Sequence, residues 1–187
     1  MSRSDAPAGT ILETERLRLR RLEPSDLEAL HALYSDPEIR RYFPEGVLTR
    51  AQTKEELDWF VAGDPDHPAL GLWATVLKPG GEFIGRCGLL PGIVEGRPEV
   101  EVAYLIDKRH WRRGYGAEAA AALVRYGFDT LGLTRIIAFV DPANAASAAT
   151  ARKAGLALER EIALEGMRTA IYTIERRRDA DETDSSS

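Results

Sequence analysis

The residues best suited to chemistry lie in one stretch, Val100 to Gly116. The alternating apolar residues Val100, Val102, Tyr104 and Ile106 stop at Asp107. The cations Lys108, Arg109, Arg112 and Arg113 follow, and Gly114-Tyr115-Gly116-Ala117 opens an Ala-rich segment. Period-two alternation predicts a strand and the Ala-rich run a helix. A helix N-terminus exposes unpaired backbone N–H groups and about half a positive charge, both of which suit a phosphate. Gly114 and Gly116 are expected to supply backbone conformations closed to other residues, and room for an anion to approach. Strand, cationic glycine loop and helix in that order describe a pyrophosphate cradle, and coenzyme A is one ligand that needs one.

Two other readings fit the same residues. The glycines could simply make a tight turn whose arginines face water. Alternatively, Gly114-x-Gly116-x-x-Ala119, with Asp141 ending the next strand, fits a variant dinucleotide fingerprint. Against the dinucleotide, six residues separate Asp107 from Gly114, whereas in that fingerprint the first glycine follows its strand almost at once. Too few residues remain for its parallel sheet.

The elements that position this stretch can be read from periodicity. Leu17, Leu19 and Leu22 mark a first strand, and Pro24-Ser25-Asp26 starts a helix carrying Leu27, Leu30 and Leu33, which ends at Asp36-Pro37. Thr49 is a candidate N-cap for a second helix with Leu57, Phe60 and Val61. Strands follow at 70–77 and 83–90, around a Lys78-Pro79-Gly80-Gly81 turn and ending at Pro91-Gly92, and then at 98–106. After these come a helix from Gly114 to about Leu131, a strand at 135–140, a short helix from about Asn144 to Ala154, and a final hairpin (156–164, 168–176) turning at Glu165-Gly166. The order predicts an α+β domain, one layer of sheet covered by helices. Residues 1–10 and 178–187 lack apolar periodicity and are expected to be disordered ends of a single domain spanning 11–177.

The 187 residues suffice for one domain with a substantial core. A net charge of −5 argues against a general nucleic-acid binder. The single cysteine, Cys87, excludes an intramolecular disulfide and reads as a small core residue. His31, His67 and His110 are too dispersed to suggest a metal site, and no metal is expected. No apolar N-terminal segment or membrane-length span is visible, so a cytoplasmic location is the expectation.

Three motifs in order carry a resemblance. Thr14-Glu15-Arg16-Leu17-Arg18-Leu19-Arg20 precedes Pro24-Ser25-Asp26 and Ser35-Asp36-Pro37-Glu38. Glu101-Val102-Ala103-Tyr104 leads to Trp111-Arg112-Arg113-Gly114-Tyr115-Gly116-Ala117-Glu118-Ala119. Asn144-x-x-Ser147 leads to Lys153-Ala154-Gly155. Over nearly its whole length the chain resembles the GNAT superfamily of acetyl-CoA-dependent N-acetyltransferases, and within it the Rim-type branch that acetylates N-termini of ribosomal proteins. The resemblance implies a mixed, mostly antiparallel sheet of about six to seven strands with helices on both faces. It implies that backbone groups of Tyr104, Leu105 and Ile106 pair with the pantetheine arm like an extra strand. It further implies that amides from Arg112, Arg113, Gly114, Tyr115, Gly116 and Ala117 hold the pyrophosphate, and that Asn144 contacts the coenzyme. Trp111 stands where the superfamily usually has Gln or Arg, which leaves the backbone cradle intact.

For acyl transfer the attacking amine must be neutral. An α-amino group with pKa near 8 is about a tenth neutral at pH 7, and a lysine near 10.4 far less, so a base helps both. Glu101, on the strand face opposite Val100, Val102 and Tyr104 and matching a Glu of the Rim-type pattern, is the candidate base. Glu99 shares that face as the reserve. Many superfamily members donate a proton to the thiolate from a tyrosine seven residues after the motif asparagine, where this chain has Ala151. Ser147 is the nearest hydroxyl, either a proton donor, directly or through water, or an ordinary first-turn residue behind an Asn144 cap. Tyr42, Phe43 and the Glu165-Gly166-Met167-Arg168 turn are expected to flank the acceptor, and His110 to lie in an exposed loop. A protein or peptide α-amino group is the first acceptor to consider. A small molecule such as a polyamine or aminoglycoside is the rival, which Asp36, Glu38 and Glu45 would serve, and a non-catalytic acetyl-CoA sensor is the third reading. The last strand could pair with a second copy of the chain.

Overall fold

The computed structural model describes residues 9–164 and 166–176. The expected disordered ends therefore lie almost wholly outside the described residues. Thr10, placed with the N-terminal end by its sequence, instead begins a strand.

The elements are β1 (Thr10–Glu13), β2 (Leu17–Arg21), α1 (Leu27–Tyr34), α2 (Arg50–Ala62), β3 (Gly71–Leu77), β4 (Phe83–Val94), β5 (Arg97–Ile106), α3 (Tyr115–Asp129), β6 (Arg135–Val140), α4 (Ala145–Lys153), β7 (Ala157–Leu164) and β8 (Met167–Glu175). All eight strands form one sheet in the order β1-β2-β3-β4-β5-β6-β8-β7. Every neighbouring pair is antiparallel except β5 and β6. The sheet holds one or two more strands than expected, and β1 is the element the sequence concealed. Thr-Ile-Leu-Glu is too short to show alternation, and it is held by pairing with β2.

Local chemistry explains most boundaries. Arg20 donates to both Asp26 carboxylate oxygens at 2.7 and 2.8 Å, closing the 3₁₀ turn Pro24–Asp26 that leads into α1. The Thr49 side chain accepts from Gln52 N–H while Gln52 returns a bond to Thr49 N–H, a reciprocal cap that starts α2. Strand β4 does not stop at Pro91 but continues to Val94. The reason is positional: β3 ends its pairing at Leu89, so beyond that point one edge of β4 is free. Asp107 N–H donates to Ile84 O across to β5, and alternation from there turns the Pro91 nitrogen toward the free edge, where no donor is needed.

The sheet has a core on each face, as helices on both sides require. Val102 and Ile106 of β5 pack with Leu17, Leu19, Leu123 and Ile136 under α3 and α4. Ala103 and Leu105, on the opposite face of β5, pack with Leu30, Leu33, Tyr34 and Leu57 of α1 and α2. Gly127 lets α3 settle onto the sheet, since a Cβ there would lie 2.7 Å from Ile136 Cδ1. Among the described residues no helix is long and apolar enough to cross a membrane.

Candidate active site

The parallel pair β5–β6 is registered at a single position, Glu101 opposite Ile137. Beyond it the strands separate, and no pairing with β6 is registered for Ala103 to Ile106. Odd-numbered residues of β5 turn their peptide groups toward β4, as the Asp107 bond to Ile84 shows, so Val102 serves the pair with Ile137 while Tyr104 and Ile106 turn their peptide groups into the gap. This refines the expectation for Leu105. Its carbonyl points at β4, where a Cβ on Gly85 would collide with it. Tyr104 and Ile106 are the residues whose backbone an extended ligand could pair with. Ile106 O is already engaged by the Trp111 indole N–H at 2.7 Å, so Trp111 ties the following loop to the strand end.

The carboxyl ends of β5 and β6 both lead to helix N-termini at this gap. Gly114 is the N-cap of α3, with φ +82° and no side-chain cap. Arg112 also lies in the left-handed region, at φ +62°. Alternating backbone handedness of this kind turns successive N–H groups toward one side and forms an anion-binding concavity. Gly116 is not left-handed. Its Cβ would make ordinary contacts of 3.6 Å to Thr150 and 3.8 Å to Ile106, so its conformational role is corrected and only the room it leaves remains. The expected group of four cations also divides. Lys108 is bound to Asp36 and Glu38, and Arg109 to Asp107 and, more distantly, Glu82. Arg112 and Arg113 have no ion pair among the described residues. Arg16, unremarked as a site residue, fixes the loop: its Nη1 donates to Arg113 O at 3.0 Å, its guanidinium pairs with Glu118 at 2.6 Å, and it lies 4.5 Å above the Tyr115 ring. Uncapped amides, left-handed Gly114 and unpaired cations at the mouth of a strand-width gap fit the pyrophosphate and pantetheine of coenzyme A.

At the inner end of the gap Glu101 lies on the α1–α2 face. Burial pushes its carboxyl up to about 7, against the opposing pull of the Arg86 guanidinium and a Phe139 backbone bond. It makes no ion pair among the described residues. Glu99 is committed instead: Arg135 donates from Nε to both its oxygens at 3.1 Å, and from Nη2 and Nη1 to Glu159 and Glu175. On the other side of the gap, Asn144 caps α4 by accepting from Ser147 N–H at 3.0 Å. The Tyr104 hydroxyl reaches across to Ser147, 3.0 Å from its carbonyl and 3.1 Å from its Oγ. Burial raises the Tyr104 phenol to about 12, and the Ser147 bond opposes that shift. Ala151 is fully buried in α4. Sequence reasoning assigned only the backbone of Tyr104, and the alternation that put it beside Val102 and Ile106 was the available signal that its side chain faces α4.

The family model for the GNAT acetyltransferase domain matches residues 16–157. The chain belongs to the GNAT acetyltransferase family. It is 34% identical over 166 residues to the uncharacterized protein YkkB of Bacillus subtilis, covering 88% of this chain and 95% of that one. It is 32% identical over 136 residues to the uncharacterized N-acetyltransferase p20 of Bacillus licheniformis, covering 73% and 76%. The crystal structure of an acetyltransferase from Agrobacterium tumefaciens superposes with a TM-score of 0.75 at 30% identity, covering 88% and 94%. As a GNAT enzyme this chain is an acetyl-CoA-dependent N-acetyltransferase.

Tyr42 and Phe43, expected beside the acceptor, lie on the α1–α2 side of the sheet. Phe43 packs there under the Arg40 guanidinium at 4.2 Å, and Tyr42 lies beneath Arg41. Arg40 is buried, with Nε donating to Gly46 O and Nη2 to Glu45. Beside Leu90, which pairs with Glu101, Trp59, Phe60, Leu70 and Pro91 line a shallow apolar pocket. In the 165–168 turn, Glu165 lies outside the described residues, while Met167 and Arg168 are exposed, Arg168 pairing with Glu161. Cys87 is a buried core thiol, as expected. His110 is not exposed: it is buried, its Nε2 3.1 Å from Glu82 and its Nδ1 without a partner. The Trp111 tether folds the loop inward and explains that difference.

Proposed function

We propose that the enzyme transfers the acetyl group directly to a primary amine within a ternary complex, with the α-amino group of a protein or peptide as the preferred acceptor. The observation that carries this reading is Glu101: half-buried, without an ion pair among the described residues, and on the α1–α2 face where β5 and β6 part. A carboxyl poised near 7 matches an ammonium with pKa near 8 better than a lysine near 10.4, because proton transfer is most effective between groups of similar pKa.

Acetyl-CoA in the groove supplies a thioester whose acyl carbon accepts a neutral amine. Glu101 takes the proton that frees the amine lone pair, directly or through water. The Tyr104 N–H, turned into the gap, is a donor for the developing oxyanion. As the C–N bond forms and the C–S bond breaks, Ser147, paired with the Tyr104 hydroxyl, supplies a proton to the thiolate and is restored from solvent. Orientation of the reactants contributes much of the rate.

The same fold, at 18% and 20% identity, is that of the ribosomal L7/L12 α-N-protein acetyltransferase RimL and of a spermidine N-acetyltransferase from Vibrio cholerae. The choice therefore rests on the site. The carboxylates that would attract a polycation are occupied, Asp36 and Glu38 by Lys108 and Glu45 by Arg40. Incubating the purified protein with acetyl-CoA and N-terminal peptides, polyamines or aminoglycosides, with free thiol measured, tests the reading. Fastest release with peptides supports it, and tight coenzyme binding without release on any amine would establish a sensor.

A further inference from the structure

We propose that Arg86 receives an anionic group of the acceptor, so that the preferred substrates are amines that also carry a carboxylate. The proposal rests on the transferase reading and adds a second recognition point on the face that holds Glu101.

Arg86 lies on β4 opposite Leu105, on the α1–α2 side, and is only 6% exposed. Its Nε donates to the Tyr34 hydroxyl at 2.8 Å, and that hydroxyl donates in turn to Glu56 at 2.5 Å. Among the described residues nothing accepts from Nη1 or Nη2. Neither of these atoms is among the side-chain nitrogens and oxygens sealed from solvent without a partner, which are Thr75 Oγ1 and His110 Nδ1. Both Nη groups therefore touch solvent, with their donors unused. No carboxylate lies within ion-pair distance of it. Glu45 is taken by Arg40, Glu56 is reached only through the Tyr34 hydroxyl, and Glu101 acts on it only at longer range. Burial opposes the charge of this guanidinium while Tyr34, bonded to Nε, and Glu56 favour it, so Arg86 stays charged with its two Nη groups unclaimed by any protein acceptor. A carboxylate seated on the two Nη groups would complete it by the forked geometry that arginine offers. The Phe43 ring lies beside both guanidinium groups, 4.2 Å from that of Arg40 and 5.8 Å from that of Arg86.

The carboxylate could be that of a free amino acid or an acidic side chain close to a peptide N-terminus, and matched acceptors distinguish them. One pair is phenylalanine and phenylalaninamide. The other is two C-terminally amidated tripeptides with Asp or Asn in second place. Wild-type enzyme should favour the carboxylate member of one pair by at least about 10-fold in kcat/KM, and that pair names the source. Arg86→Gln should reduce the preference to near unity and Arg86→Lys should restore part of it. Equal rates within both pairs for the wild type, or a preference that survives Arg86→Gln, would overturn the proposal while leaving the transferase reading intact. The wild-type comparison decides even where a variant fails to fold. No thiol release with any amine, charged or neutral, would remove both.

Discussion

The hydroxyl of Tyr104 spans the gap between β5 and α4 to meet Ser147, at 3.1 Å from its Oγ. This contact gives Ser147 a partner beyond its place in the first turn of α4, where its N–H is already satisfied by Asn144. A residue serving only the helix would have no need of it. Ser147→Ala should therefore slow turnover by about 10- to 100-fold while the coenzyme dissociation constant changes little, as expected for loss of proton donation. Tyr104→Phe should give a smaller loss of the same kind. Steady-state kinetics with calorimetric coenzyme binding separate the two parameters, and full turnover in Ser147→Ala would return the residue to a structural role.

Glu101→Gln should lower kcat/KM by about 100-fold or more. The sign of the pH effect follows from its raised carboxyl. The active base is the ionised form, so wild-type activity falls as pH drops through about 7. The variant should lack this limb and keep only the one set by the amine itself. A profile unchanged by the substitution would remove Glu101 from the mechanism.

The same residue makes a prediction for stability. Because the folded carboxyl titrates above its unfolded value, the native state holds a proton that the unfolded chain has released between about 4.5 and 7. Folding stability is thus full below the lower value and declines as pH rises through the upper one. Glu101→Gln should melt at a higher temperature than wild type at pH 8, with the difference closing below pH 5. Such an exchange of stability for function is common where charge is buried for catalysis. Calorimetric scans across pH check it.

The two glycines of the cradle should behave differently. Gly114→Val places a β-branched residue at φ +82° with its Cβ 3.5 Å from Arg16 Nη2, and should weaken coenzyme binding by more than about 10-fold through loss of loop geometry. The protein should still fold. Gly116→Ala faces only ordinary contacts and should leave the melting temperature nearly unchanged. Coenzyme titrations and thermal melts on the two variants read both effects, and retained affinity in Gly114→Val would contradict the cradle.

Among the cations of this stretch, Arg112 and Arg113 should carry the phosphate interaction. Arg112→Ala and Arg113→Ala should each weaken coenzyme binding by about 2- to 10-fold and reduce its dependence on salt. Lys108→Ala should leave both unchanged, since its ammonium is held by Asp36 and Glu38. Binding measured at two ionic strengths distinguishes them.

Features written in adjacent residues were legible in the sequence. The alternation of β5 gave both faces of that strand, Thr49 and Asn144 declared their helix caps, and Gly114 marked the start of α3. What depended on distant partners was not. Lys108 is neutralised by residues some 70 positions earlier, and Glu99 is held by an arginine 36 positions later, so neither could be separated from its neighbour by type or spacing. Thr10–Glu13 is a strand only because β2 lies beside it, and β4 passes through Pro91 only because β3 has already ended. Arg86 looked like any strand cation until the fold buried it and left its two Nη groups without an acceptor among the described residues.

The lone pairing of Glu101 with Ile137 leaves the sheet in two blocks, β1–β5 and β6–β8, joined edge to edge at one point and bridged otherwise by helices α3 and α4. A coenzyme pairing along Tyr104 and Ile106 would act as a ninth strand and close this central seam. Amide protons of Tyr104 and Ile106 should exchange rapidly with solvent until that seam is closed. Each catalytic cycle would then include a partial unmaking of the sheet itself, with product leaving by the same cleft through which the fold is completed.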